Sequence, residues 1–537
     1  MNYNYIVIGS GASGGIIASR LSEDPNISVI LLEAGNDYQT IDDLPENIKK
    51  GSALNLPDGL SENIQNWNYT GFRNKDNTID IPRGKIIGGS SSINGQIFLR
   101  GMPEDYDDWA NKGNDLWSYK NILNSFNRIE NDLDFSGDFH GNKGKVPVKR
   151  FPREKWSPTD NAFYESAIKM GFPDCPDQNN PDATGVGPVP MNNTGLSLKN
   201  FRDGLRMSSN IAYLSETRER LNLTIRGNSL VKKILFHTKK NSDPKAYGVL
   251  VQSGEKNFII NGENIILSAG AIGSPHLLLL SGIGPKEQLN QFDIELIKDL
   301  PGVGKNLRDH PTVLPQYKLS EDIPKDWFGI TDRICLRYTA KGSHLRNDMI
   351  IFANAVVAPR TTTKQYAHYY GAGNSNNDEM LLIWRARVNL AKGSGEIKLN
   401  SKNPNVQPYI NYNFLEEEFD RKRLREALEI TLNLVEHPSY KKWITERITP
   451  TKEHLRNENS IEKWMIENVC HGHHISGTCK MGPTSDKMAV VNQYGKVHGV
   501  DGLTIADTSI MVNCIRANTN VTAMMIGERI SELILQE

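Results

Sequence analysis

Residues 5–33 constrain this chain more than any other stretch. Tyr5-Ile6-Val7-Ile8 is a short apolar run leading into Gly9-x-Gly11-x-x-Gly14. After it, Ile16, Ile17 and Leu21 fall on one helical face. A second apolar run over 27–32 ends at Glu33. Glycine-rich turns recur for purely structural reasons, so the glycines alone decide little. Here strand, turn, helix, strand and terminal acid fall in register, which is the pattern of a dinucleotide-binding unit. Its glycines allow a tight turn, close approach of backbone to pyrophosphate, and close helix–strand packing. The helix N-terminus offers free N–H groups and a partial positive charge to the phosphates. Glu33 is placed to accept hydrogen bonds from ribose hydroxyls and disfavours a 2′-phosphate, which leaves FAD or NAD.

Composition narrows the remaining possibilities. The 537 residues are 38% hydrophobic, enough for a sizeable core. With 62 basic and 63 acidic residues, no global field draws the chain to nucleic acid or anionic membrane. The longest apolar runs, such as 277–280, are strand-sized, far below the ~18 residues of a membrane span. Four residues precede the first strand, too few for a secretory signal, and the five cysteines lack disulfide-framework or zinc-ribbon spacing. The expectation is a soluble, cytoplasmic protein with no membrane span.

Three later segments carry further signals. Residues 81–101 read IPRGKIIGGSSSINGQIFLRG, in which Asn94-Gly95 and Ile97-Phe98-Leu99 are poor linker material. Glycines there let backbone N–H groups approach a flavin ring or a phosphate without interference from a Cβ. Residues 266–285 predict a strand, a glycine turn and a short apolar helix. The C-terminal region contains CHGHHISGTCKMG over 470–482, IAD over 505–507 and ANTNV over 517–521.

In order and in wording these motifs resemble the glucose–methanol–choline (GMC) flavoprotein oxidoreductases along essentially the whole chain. The pattern is nearest to bacterial aryl-alcohol and hydroxymethylfurfural oxidases and choline dehydrogenases. The resemblance implies an α/β chain, α+β overall. A Rossmann-like FAD-binding domain would come from 1–155, 205–315 and 465–537. A substrate domain from 156–204 and 316–464 would be built on an antiparallel sheet covered by helices. Within it, 396–399 and 408–411 read as strands, and 416–437 as an amphipathic helix whose charges face solvent.

The resemblance also implies site roles. Gly9, Gly11, Ala12, Ser13, Gly14, Glu33 and Ala34 would bind FAD, as would Arg83, Gly88, Gly89, Ser90, Asn94, Gly95 and Ile97. Val231, Asp507, Asn520 and Val521 complete that set. Some relatives attach FAD through a His just before the Asn of the glycine–serine motif; Ile93 stands there, so FAD should be non-covalent. By the motif His-x-x-Gly-Thr, His474 is the base for an alcohol hydroxyl, and Asn518 orients the oxygen. The cluster Cys470, His471, His473, His474 and Cys479 has the residue types of a zinc site, but a metal would occupy the base, so none is expected.

The implied activity is FAD-dependent oxidation of a small-molecule alcohol, with electrons passing to O2 or another acceptor. The alternative is a non-oxidising member of the family, of the hydroxynitrile lyase type. His471, His473, Ile475, Cys514, Ile515 and Arg516 flank the catalytic pair without a carboxylate, so neutral alcohols should outperform choline. Arg516 is expected to face solvent, while the orientation of Trp384 is open.

Overall fold

The computed structural model describes residues 2–50, 65–74, 77–197, 204–324, 332–358 and 379–537. The N-terminal run forms a strand at Asn2–Ile8, whose Ile6 and Val7 are fully buried. Each such side chain withdrawn from water is worth about 1.5–3 kcal/mol. The strand pairs in parallel with Val29–Leu32 on one side and Lys256–Leu267 on the other. Leu223–Arg226 and Leu503–Ile505 extend the parallel set, and an antiparallel pair, Leu230–His237 and Lys245–Ser253, completes a seven-stranded sheet. The helix Gly14–Leu21 follows the glycine turn as the sequence predicts.

Against that helix packs the final helix, Asn520–Leu535. Ser13 Oγ donates to Ala523 O at 2.6 Å, and Arg20 pairs with Glu528 at 2.8 Å. A Cβ on Gly527 would lie 2.8 Å from Ser13 O, so this crossing leaves no room for a side chain. The two helix N-termini are thereby held side by side.

A second seven-stranded sheet is antiparallel throughout. Its order is 444–449, 316–319, 379–388, 349–358, 334–338 and 185–188, with Thr312–Val313 also paired to the strand Glu379–Val388. Helices Pro158–Lys169 and Glu418–Val435 cover one face of this sheet. The whole is a mixed α/β protein with a Rossmann-like first sheet. Glu396–Lys398 and Tyr409–Asn411 form the expected hairpin, joined through Tyr69–Phe72 to Thr78–Ile81.

Two readings of side-chain orientation are corrected. Not all the charges of helix Glu418–Val435 face solvent: Asp420 and Arg423 are buried and paired with each other at 2.6 Å, and Arg423 also reaches Asp348 at 2.8 Å. Arg516 is buried too, its Nη1 2.6 Å from Asp105 Oδ1, while Asp105 Oδ2 accepts the Arg516 backbone N–H at 2.9 Å. A long-range carboxylate draws it inward. All five cysteines are buried and free. Among the described residues no helix is long and apolar enough to cross a membrane.

Candidate functional site

A cavity of about 650 Å³ runs from the carboxyl ends of the first sheet to the open face of the second. Parallel sheets place ligands at this edge because adjoining helix N-termini and turns leave backbone amides unpaired there. Gly9, Gly11, Ala12, Ser13, Glu33 and Ala34 line one end. A Cβ on Gly14 would sit 1.9 Å from Gly9 O, so the third glycine closes the turn. A Cβ on Gly11 would meet nothing within 4 Å, which leaves its backbone open to the cavity. Glu33 is held by Ser10 N–H at 3.1 Å, Ser10 Oγ at 2.8 Å and Gly35 N–H at 2.9 Å, and burial raises its pKa.

The glycine–serine segment lies directly on this turn. Gly88 N–H donates to Ser10 Oγ at 3.1 Å, and a Cβ on Gly89 would lie 2.8 Å from Gly11 Cα. Arg83, Gly89, Ser90, Asn94, Gly95 and Ile97 line the cavity, as do Ile93, Val231, Asp507 and Asn520. Asp507 Oδ2 accepts from Gly270 N–H at 2.9 Å and Ser274 Oγ at 2.5 Å, fastening the start of helix Gly270–Leu280. Gly14, Gly88 and Val521 stand outside the lining; Val521 is fully buried.

At the other end His474 and Asn518 share the cavity wall. His474 Nδ1 lies 2.8 Å from Nδ1 of His310, whose Nε2 is 2.8 Å from the Ile515 carbonyl and 3.0 Å from Cys514 Sγ. Burial, with the Arg387 charge adding to it, pushes His310 down to about 3, so the ring is neutral. A carbonyl only accepts, so His310 carries its hydrogen on Nε2 and its Nδ1 is an acceptor. His474 must then donate from Nδ1. Burial, followed by His310 and Arg387, holds His474 well below its usual pKa, so its Nε2 is left as a free base.

Asp309 fixes the loop that carries His474. Its Oδ1 accepts N–H groups from His310 at 2.7 Å and from Gly472 and His474 at 3.0 Å. Between the last two, His473 adopts φ 66°, a left-handed kink that a non-glycine residue keeps only when its surroundings impose it. Burial pushes Asp309 up to about 6. Asp309, His310 and His474 bring ligand atoms within 4.8 Å of one another. Asp309 Oδ1 is already committed to three amides, and the two imidazoles are joined through a proton. Asn518 Oδ1 is buried with no hydrogen-bond partner among the described residues.

Two models described as GMC oxidoreductase match the chain, one over residues 3–312 and one over 391–527. The chain belongs to the GMC oxidoreductase family. It is 33% identical to the Drosophila melanogaster glucose dehydrogenase (FAD, quinone), over 98% of this chain and 86% of that protein. It is 32% identical to an oxygen-dependent choline dehydrogenase of Klebsiella pneumoniae, over 99% of this chain and 96% of that one. The pyridoxine 4-oxidase of Mesorbium loti shares the fold, with TM-score 0.86 and 24% identity over the full length of both chains.

GMC oxidoreductases are FAD-dependent, and this cavity suits that group. The open backbone at Gly11 and the unpartnered Asn518 Oδ1 are features that a flavin nucleotide would meet. Sequence reading missed His310, Asp309, Arg385 and Arg387. The pair Asp309-His310 before Pro311 was a usable signal, since two ionisable residues beside a proline are poor linker material. Trp384, by contrast, is fully buried on the far side of its strand, with Phe163 at 4.8 Å and Tyr440 at 6.1 Å.

Proposed function

We propose that this GMC oxidoreductase oxidises a small alcohol, with FAD held non-covalently and with O2 or another acceptor taking the electrons. The observation that carries the reading is the His310–His474 contact, because it leaves His474 Nε2 without a proton on the cavity side. His474 takes the hydroxyl proton of the alcohol, and Asn518 holds the same oxygen by hydrogen bonding. Bound FAD would supply the hydride acceptor, at flavin N5, for the hydrogen leaving the carbinol carbon. Glu33 would hold the ribose and the amides after Gly11 the pyrophosphate. The N-terminus of helix Asn520–Leu535, with its partial positive charge, lines the cavity through Asn520 and would help hold the flavin.

Arg83 and Arg387 line the same cavity as His474, and Arg385 is offset there by Asp332, so a cationic alcohol such as choline is disfavoured against a neutral one. Anaerobic mixing of the holoenzyme with a panel of alcohols should bleach the oxidised-flavin absorbance. Cyanide release from a cyanohydrin with no bleaching by any alcohol would establish lyase chemistry instead. Ile93 offers no nitrogen for a covalent link, so acid or heat should release the flavin entirely. Flavin fluorescence that stays with the denatured band on a gel would contradict non-covalent binding.

A further inference from the structure

The strand Glu379–Val388 alternates in a way the alcohol chemistry alone does not use. Its Trp384 and Ala386 are fully buried, whereas Arg385 and Arg387 line the cavity on the opposite face. A strand sends every second side chain to the same side, so the two arginines point together towards the site. Arg385 is neutralised by Asp332, which is paired to it and also lines the cavity.

Arg387 feels Asp332 and Asp309 only through space. It is 6% exposed and lies over the Phe352 ring at 5.5 Å. Among the described residues it makes one hydrogen bond, Nε to Thr312 Oγ1 at 3.2 Å, and no ion pair. A Cβ built on Gly472 would come within 3.0 Å of His474 Nδ1 and 3.3 Å of Arg387 Nε, so the guanidinium stands next to the proposed base. Of the nearby carboxylates, Asp332 is paired with Arg385, while Asp309 gives Oδ1 to three backbone amides and leaves Oδ2 without a hydrogen bond among the described residues. A buried charge without a direct ion pair is costly, and the planar guanidinium fork matches a carboxylate with two parallel hydrogen bonds.

We infer that Arg387 receives a carboxylate of the substrate, so that the substrate class is a hydroxy acid with its hydroxyl at His474 and its acid group at Arg387. The hydroxyl half of this assignment rests on the alcohol oxidation proposed above; the acid half rests on Arg387 and its surroundings. With Nε engaged by Thr312, the two Nη groups suit one planar monoanion.

The test uses the FAD-loaded enzyme with 4-(hydroxymethyl)benzoate and benzyl alcohol as substrates, and 4-methylbenzoate and 4-methylbenzamide as unreactive ligands. The acid should exceed benzyl alcohol at least tenfold in kcat/KM, mainly through KM, and 4-methylbenzoate should bind at least tenfold tighter than the amide by calorimetry. That factor is the scale of one charge-assisted contact. In Arg387→Met the acid-to-alcohol ratio should fall to about one or below, and the Kd for 4-methylbenzoate should rise at least tenfold. Arg387→Lys should recover part of both. Equal affinity for acid and amide in the unmodified enzyme, or an unchanged ratio in Arg387→Met, would overturn the assignment. Should Arg387→Met not fold, the acid–amide comparison in the unmodified enzyme still decides. Failure of every alcohol to reduce the flavin would sink the alcohol reading alone, because the calorimetric comparison needs no turnover.

Discussion

His310 and His474 meet Nδ1 to Nδ1 at 2.8 Å, and the Ile515 carbonyl on the far side of His310 decides which ring carries the shared hydrogen. Residues 310, 474 and 515 come from three separate segments, yet together they fix one tautomer. An imidazole free to rotate or to exchange tautomers would present its base nitrogen only part of the time.

On the proposed chemistry, His310 acts through His474 as a positioning residue. His310→Ala should slow alcohol-dependent flavin reduction about tenfold or more while FAD content is kept, below the full effect of losing a general base. The acid limb of the pH–rate profile should also move to higher pH, because removing the ring relieves one of the influences that depress His474. Stopped-flow reduction from pH 5 to 9 checks both. An unshifted limb would mean that His310 only fills space.

His474→Ala should cut flavin reduction by ~10²-fold or more, the lower range for a general acid–base group. FAD should stay bound, since Gly11, Ala12, Ser13 and Glu33 line the opposite end of the cavity. Asn518→Ala should be milder, because an orienting amide moves no proton. Near-native reduction by His474→Ala would remove the residue from the chemistry.

Acid should destabilise the fold through its buried neutral histidines. Burial lowers His276 to about 4 and His310, where Arg387 adds to the effect, to about 3. Below the unfolded value near 6.5 the unfolded chain takes up protons that the native rings refuse. Their contribution is thus fully present above pH 6.5 and is lost as pH falls towards 4 and then 3. Each such ring costs up to about 1.4 kcal/mol per pH unit in that window. Denaturant titrations at pH 7.5, 6 and 5 should show this fall, and His276→Leu should lessen it. An equal slope in that variant would exclude His276 as a contributor.

Arg516→Ala should destabilise the protein by about 3–5 kcal/mol, because it strands the buried Asp105 carboxylate. Asp105 Oδ2 also holds Met102 N–H at 2.8 Å, so the start of helix Pro103–Asn111 would loosen with it. Chemical denaturation gives the number. A change below about 1 kcal/mol would mean that Asp105 finds another partner at little cost.

What the sequence discloses follows from how far apart the deciding residues lie. The unit from Gly9 to Glu33 is legible because strand, turn and helix each obey a local period, and the structure reproduces it nearly residue for residue. Arg516 was misread because its partner, Asp105, is 411 positions away and nothing near residue 516 announces it. Asp420 and Arg423 look like a solvated helix face until Asp348 arrives from the turn before the strand Met349–Ala358. Arg385 and Arg387 stayed hidden for the same reason. Alternation within one strand shows that they share a face with each other, but not which face meets the cavity.

That strand separates two kinds of evolutionary freedom. Its even positions, Trp384 and Ala386, are locked among Phe163, Tyr440 and the covering helices, where a change of volume would be felt throughout the sheet. Arg385 and Arg387, on the other side, line the cavity instead. A lineage can therefore exchange charge, size or polarity at 387, or at 385 together with its partner Asp332, and acquire a new diet without renegotiating its core.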